Sequence, residues 1–273
     1  MSEAQTVRYV LLTMGRTGST ILSRMLREHP NIVDYQELFN VDYQAEYRRC
    51  TSKQTSLKYW LSFPPGEKYR DQKNFTAIPL EASASGILRD YVWCGGYASG
   101  IKAVGFKLLY YQLNHDGPYP DLSDAFEDLL PSLRVILLTR DHYLETYLSH
   151  LVSSRIRQWH ITSERERKPR PRIQIQETDL THAFEHYDHA WDRLQNLAGR
   201  AQSQLTVRYE HLITDRQDCW DRTVKFLGVP AVPMPEVSLK KVEVRTMSEA
   251  IVNFDELRRH FSGSKWESFF DYG

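Results

Sequence analysis

Along the chain, short continuous apolar runs alternate with stretches in which apolar residues recur every three or four positions. Tyr9-Val10-Leu11-Leu12-Thr13 is the first such run and predicts a buried strand. Ile21, Leu22, Met25 and Leu26 then share one helical face. His29-Pro30-Asn31 ends that helix, because proline disfavours helix in the residue before it. Further strands are expected at Ile32-Val33, Val104–Tyr110, Arg134–Thr139 (the strongest) and Leu205–Tyr209. Helices are expected over Ser83–Trp93, interrupted at Gly95-Gly96, and over Asp121–Leu130, stopped at Pro131. Others should run from Arg140-Asp141 to about Trp159, over Asp179–Gln202 and Asp218–Leu227 before Gly228, and near Phe254–Phe261. Residues 43–80 show no clean period and read as helical fragments and loops.

Strands separated by helices predict an α/β fold, a central parallel β-sheet flanked by helices, with ligands at the carboxyl ends of the strands. The length suits one domain over 1–273, with less regular insertions near 43–100 and 155–178. Two strand ends carry arginines, Arg16 and Arg140.

The turn after the first strand holds Gly15, Arg16, Thr17, Gly18, Ser19 and Thr20. Strand, Gly-rich turn and helix together aim backbone N–H groups at an anion, with hydroxyls and one guanidinium fork added here. A nucleoside triphosphatase P-loop needs Lys before its final Ser or Thr, and Gly18 stands in that place. The loop therefore suits phosphate-like oxygens without a Mg-bound triphosphate, although an ordinary βα turn also accounts for it taken alone.

Lys+Arg and Asp+Glu both total 35, so any basic patch must be local. Arg155 to Arg172 is such a patch, with seven Arg or Lys residues, Pro169 and Pro171. It reads as a mobile segment: a substrate-facing lid, a contact for an anionic acceptor, or a solvated loop. It lacks the interleaved aromatics of a stacking surface, and no nucleic-acid partner is expected. Cys50, Cys94 and Cys219 have neither disulfide-framework nor zinc spacing. Met1-Ser2-Glu3-Ala4-Gln5 is unlike a signal peptide, and no apolar run approaches the about 20 residues of a bilayer span. No stable membrane insertion and a cytoplasmic location are the expectations; no pattern specifies an oligomeric state.

Taken together, these segments resemble the sulfotransferases that use 3′-phosphoadenosine 5′-phosphosulfate (PAPS), most of all the bacterial carbohydrate and nodulation-factor type. Arg16-Thr17-Gly18-Ser19-Thr20 is similar to that family's 5′-phosphosulfate loop, and Arg140 through Ser149 to its 3′-phosphate site. Tyr209-Glu210-His211-Leu212 before Phe226-Leu227-Gly228-Val229 resembles its Tyr-Glu-Asp-Leu…Phe-Leu-Gly segment. Asn253-Phe254-Asp255-Glu256-Leu257 with Trp266 and Phe269-Phe270 is similar to the tail of nodulation-type members. Arg140 and Ser149 are nine positions apart, one more than the resemblance implies, and His211 stands where Asp is more usual.

The resemblance implies a P-loop-like three-layer fold and PAPS as sulfuryl donor with no metal. The acceptor would be a carbohydrate or glycolipid hydroxyl, with a phenol, peptide tyrosine or polyketide hydroxyl as alternatives. Sulfuryl transfer needs mostly in-line positioning and charge stabilisation, and a sulfuryl group carries less charge than a phosphoryl, so Mg²⁺ is dispensable. By the same resemblance Glu37 is the general base, Arg16 holds the 5′-phosphosulfate, and Arg140 with Ser149 binds the 3′-phosphate. Lys107 either approaches the sulfuryl group or snorkels from its strand. Tyr209 sits near the adenine or in the core. His142 and His150 are the substitute bases if Glu37 is misplaced. A P-loop kinase and a non-catalytic nucleotide-binding protein are the rival classes.

Overall fold

Five strands form one sheet in a computed structural model that describes residues 6–40, 83–93, 97, 99–115, 119–241 and 243–271. They are β1 (Val7–Thr13), β2 (Ile32–Asp34), β3 (Ala103–Leu109), β4 (Arg134–Thr139) and β5 (Ser203–Arg208). Their order is β2-β3-β1-β4-β5, and every pairing is parallel. The fragments expected over 43–80, the Gly95-Gly96 break, Cys50 and Cys94 lie outside the described residues.

The central strand β1 is buried on both faces, which is why its sequence is apolar without alternation. Its side chains nevertheless alternate between two cores. Tyr9 and Leu11 pack with α1 (Ser19–Glu28) and α7 (Arg216–Leu227), through Leu22, Met25, Trp220 and Val224. Val10 and Leu12 pack with α2 (Ala84–Ile87), α3 (Leu122–Leu129) and the later half of α5 (Glu177–Gly199). The result is three layers, helices on either side of the sheet. A third core joins α4 (Tyr143–Ile156) and the start of α5 to α8 (Met247–Ala250) and α9 (Phe254–His260), where Phe184 meets Phe261, Trp266 and Phe269. Among the described residues no helix is long and apolar enough to cross a membrane.

From β1 the chain crosses to β2, returns to β3 beside β1, then passes to β4 on the other flank. This reversal opens a crevice at the carboxyl ends of β1, β3 and β4. The elements follow the hydrophobic pattern, with differences in detail at several of their ends. Ser83–Trp93 is helical but changes from α2 to a π-helical turn at Leu88. The helix expected to reach Trp159 stops at Ile156, where Arg157 takes a left-handed conformation (φ 50°) and caps it. Tyr209 is not the end of β5 but the start of a short helix, α6 (Tyr209–Thr214). The helix expected from Asp218 begins at Arg216, because the Asp215 side chain accepts the Asp218 N–H at 3.0 Å.

Gly105 of β3 lies opposite Tyr9 of β1. A Cβ there would stand 2.2 Å from the Tyr9 carbonyl oxygen and 2.7 Å from its ring. The ring is fixed because its hydroxyl donates to Asp34 Oδ2 at 2.7 Å, while Ser23 and the Gln36 N–H donate to Asp34 Oδ1. Burial pushes the Asp34 carboxyl above its ordinary pKa despite those bonds. One glycine therefore lets a single tyrosine tie β1 and β2 across β3. Gly105→Ala should destabilise the fold by on the order of 3 kcal/mol and lower the thermal midpoint by roughly 5–10 °C. An unchanged midpoint in a melting experiment would show that Tyr9 does not occupy this space.

Candidate active site

The loop after β1 is shaped from within. The Thr13 and Thr17 hydroxyls lie 2.7 Å apart, backed by the carbonyls of Leu138 and Met14. Thr17 is fully buried and is not among the residues lining the cleft; its hydroxyl shapes the loop. Arg16 and Gly18 both take positive φ, 65° and 77°. For arginine this costs about 1–2 kcal/mol; Arg140 offsets it by donating from Nη1 to the Arg16 carbonyl at 2.8 Å. Gly18 opens α1 without a side-chain cap and with no acid in the first turn, leaving the helix's positive end available to an anion.

The two arginines meet across this loop. Arg16 Nε donates to Ser149 Oγ and Nη1 to the Trp159 carbonyl, both at 3.0 Å, and its guanidinium lies 5.7 Å over the Trp159 ring. Burial and the neighbouring Arg140 charge pull the Arg16 pKa down to about 10. Arg140 is ion-paired with Glu145 and packs 4.3 Å over the face of Tyr209. Its Nε is buried without a hydrogen-bond partner among the described residues. One edge of the Tyr209 ring closes against Gly18, where a Cβ would stand 2.7 Å from Cδ2.

These residues line a cleft of about 660 Å³ at the carboxyl ends of the strands. Arg16, Gly18, Ser19, Thr20, Arg140, Ser149 and Tyr209 all face it. Glu37 and Lys107 stand behind its β3 side. Lys107 is 2.5 Å from Glu37 Oε1 and 3.3 Å from the Thr20 hydroxyl, and Asn40 donates to the other Glu37 oxygen. Burial raises the Glu37 pKa, but the Lys107 charge and these hydrogen bonds outweigh it, leaving the carboxyl below its ordinary value. His160 also lines the cleft and is exposed. Desolvation, then Lys107 and Arg16, lower its pKa to about 4, so the imidazole is neutral at neutral pH. His142 and His150 do not line the cleft: His142 caps α4 through Nδ1, and His150 packs on Trp159.

The profile of the Sulfotransferase family matches residues 10–233 of the chain. The chain belongs to that family. Nodulation protein H of Rhizobium meliloti is 25% identical to this sulfotransferase over 268 residues, covering 96% of this chain and 94% of that protein. Nodulation protein H of Rhizobium tropici is 25% identical over 272 residues, covering 96% and 92%. Among solved structures, a sulfotransferase from Alicyclobacillus acidocaldarius aligns with a TM-score of 0.48 at 16% identity, covering all of this chain and 98% of that one.

The far wall of the sulfotransferase cleft was not legible in its sequence. Lys240, Lys241 and Arg245 line it on a strap between α7 and α8 that has no hydrophobic period. With Arg16 and Arg140 they make five cationic side chains against Glu145, Glu243 and Asp271. The strap packs on the basic segment expected to be mobile. Ile161 is buried and pairs with Lys240, Arg167 donates to the Lys241 carbonyl, and Arg170 meets Glu243 at 3.2 Å with both side chains 7% exposed. Glu243 also accepts from the Arg245 backbone and guanidinium. Arg167, Lys168, Arg170 and Arg172 thus engage carboxylates or backbone carbonyls, which ties the segment to the strap and to its own flanks.

Burial raises the Glu243 pKa, but hydrogen bonds from Arg245 more than reverse this, so the acid sits below its ordinary value. Its stabilisation is therefore complete above the unfolded glutamate pKa of about 4.3 and lost as pH falls through the folded value. Glu243→Ala should cost about 3–5 kcal/mol at neutral pH. In denaturant titrations the gap from wild type should close in acid; a gap constant with pH would exclude this ionic anchor.

Proposed function

We propose that this sulfotransferase moves the sulfuryl group of PAPS to a hydroxyl of a carbohydrate or glycolipid, as a cytoplasmic enzyme with Glu37 as general base and no metal. The observation that carries the reading is the meeting of Arg16 and Arg140 at adjacent strand tips, on one cleft. A donor that is anionic at both ends needs two cationic seats within its own length. The residues present fit it: the buried Nε of Arg140, which has no partner among the described residues, the uncapped start of α1 and the cationic surplus all favour an anion. The acceptor class rests on the resemblance to carbohydrate and nodulation-factor enzymes.

The donor supplies an activated sulfuryl group on its 5′-phosphate. Arg16 and the first-turn N–H groups of α1 would bind the 5′ end and stabilise charge on the departing phosphate oxygen. Arg140 and Ser149 would hold the 3′-phosphate, with Tyr209 bracing Arg140. Glu37, ionised because Lys107 holds it so, would take the acceptor proton as the hydroxyl oxygen bonds to sulfur. Lys107 both orients that carboxylate and brings positive charge to Thr20 at the cleft wall.

Incubation with PAPS, a panel of glycans and a metal chelator should release 3′-phosphoadenosine 5′-phosphate. Arg16→Ala should lower kcat about 10²–10³-fold, and Glu37→Gln about 10²–10⁴-fold. Turnover unaffected by Arg16→Ala would sink the donor assignment; turnover unaffected by Glu37→Gln would remove Glu37 as base.

A further inference from the structure

We infer that Glu145 is an internal competitor for the phosphate seat, a residue that sets how tightly the cleft holds the 3′-phosphate end of its nucleotide. The inference rests on the donor reading above and adds to it a determinant of affinity. Glu145 lines the cleft together with Arg140, Ser149 and Lys241. Its carboxylate is ion-paired with Arg140 Nη2. Elsewhere on that guanidinium, Nη1 is committed to the Arg16 carbonyl and one face to Tyr209, while Nε is buried with no partner among the described residues. The Glu145 contact is therefore the place where an incoming oxyanion meets Arg140.

The two partners differ in freedom. The Arg140 side chain is 7% exposed and held by the Arg16 carbonyl and the Tyr209 ring, whereas the Glu145 side chain is 39% exposed and faces the cavity. Its backbone is held, because its N–H donates to the His142 Nδ1 cap at 3.3 Å, so the side chain alone moves. Arg140, Lys241 and His142 are the charged or titratable groups acting on it, and the first two are cations a phosphate also seeks. With no nucleotide bound, the glutamate neutralises Arg140 beside Arg16. With a phosphate bound, it must release the arginine and remain as a like charge near the ligand. Both effects weaken binding and hasten release. A purely positioning role for Glu145 predicts the opposite sign, since an unheld Arg140 would bind less well.

The test is calorimetric titration of the full chain and its Glu145→Gln and Glu145→Ala variants with two probes. One is 3′-phosphoadenosine 5′-phosphate; the other is adenosine 5′-phosphate, which has no group to place on Arg140. The variants should bind the bisphosphate several-fold to about tenfold tighter, with the monophosphate unchanged. Weaker or equal bisphosphate binding overturns the inference, as does equal tightening of both nucleotides, which marks a general charge effect. Glu145→Gln keeps the shape and carries the test if Glu145→Ala does not fold. Wild-type protein that binds neither nucleotide would overturn the donor reading and this inference together, whereas unchanged variants overturn this inference alone.

Discussion

One hydrogen bond, from Arg140 to the carbonyl of Arg16, joins the tips of β4 and β1 and fixes the backbone that the cleft is built on. It places two guanidinium groups together in a partly buried crevice, which electrostatics disfavours. The protein answers chiefly with neutral acceptors: Ser149 and a backbone carbonyl for Arg16, an aromatic face for Arg140, and, among the described residues, Glu145 as the one carboxylate paired with either. Cations held mostly by dipoles leave net positive charge facing the cavity, preorganised for an anion at little reorganisation cost.

The opposite flank is balanced differently. Lys107 and Glu37 neutralise each other behind Thr20, so that side presents a matched acid and base instead of surplus charge. His160 lines the same cleft as a neutral ring because desolvation, then the charges of Lys107 and Arg16, disfavour its proton. The sheet order makes this division possible. Strands β3 and β4 lie on either side of β1, so residues at their carboxyl ends face one crevice from two directions.

What the sequence disclosed follows the range of the interactions involved. β1, its glycine turn and α1 are contiguous, and their burial on both faces writes itself as an unbroken apolar run. Arg16, Gly18 and Arg140 stand at strand ends, where local pattern suffices to find them. Lys240, Lys241, Glu243 and Arg245 lie in a segment without periodicity, whose position depends on partners some 70 residues away in sequence, such as Arg170 with Glu243. Charges and prolines made the 155–172 segment look solvated; what orders it is the burial of Ile161 and Ile173 plus ion pairs that no local pattern reveals. The inward turn of Thr17 was hidden for a similar reason, since it depends on a contact with Thr13 and, through it, on β4.

Two isolated bridges among the described residues, Ile161 to Lys240 at the cleft wall and Ile173 to Ile251 in the third core, form a seam separate from the sheet. The cost of closing a chain loop rises only with the logarithm of its length, by about 0.6 kcal/mol for each doubling. Extra residues inserted between those stitches, on the solvent side, would therefore burden the fold little while remodelling the rim. The architecture separates a floor fixed by the parallel sheet from an adjustable margin in which new acceptor shapes can be accommodated without disturbing the grip below.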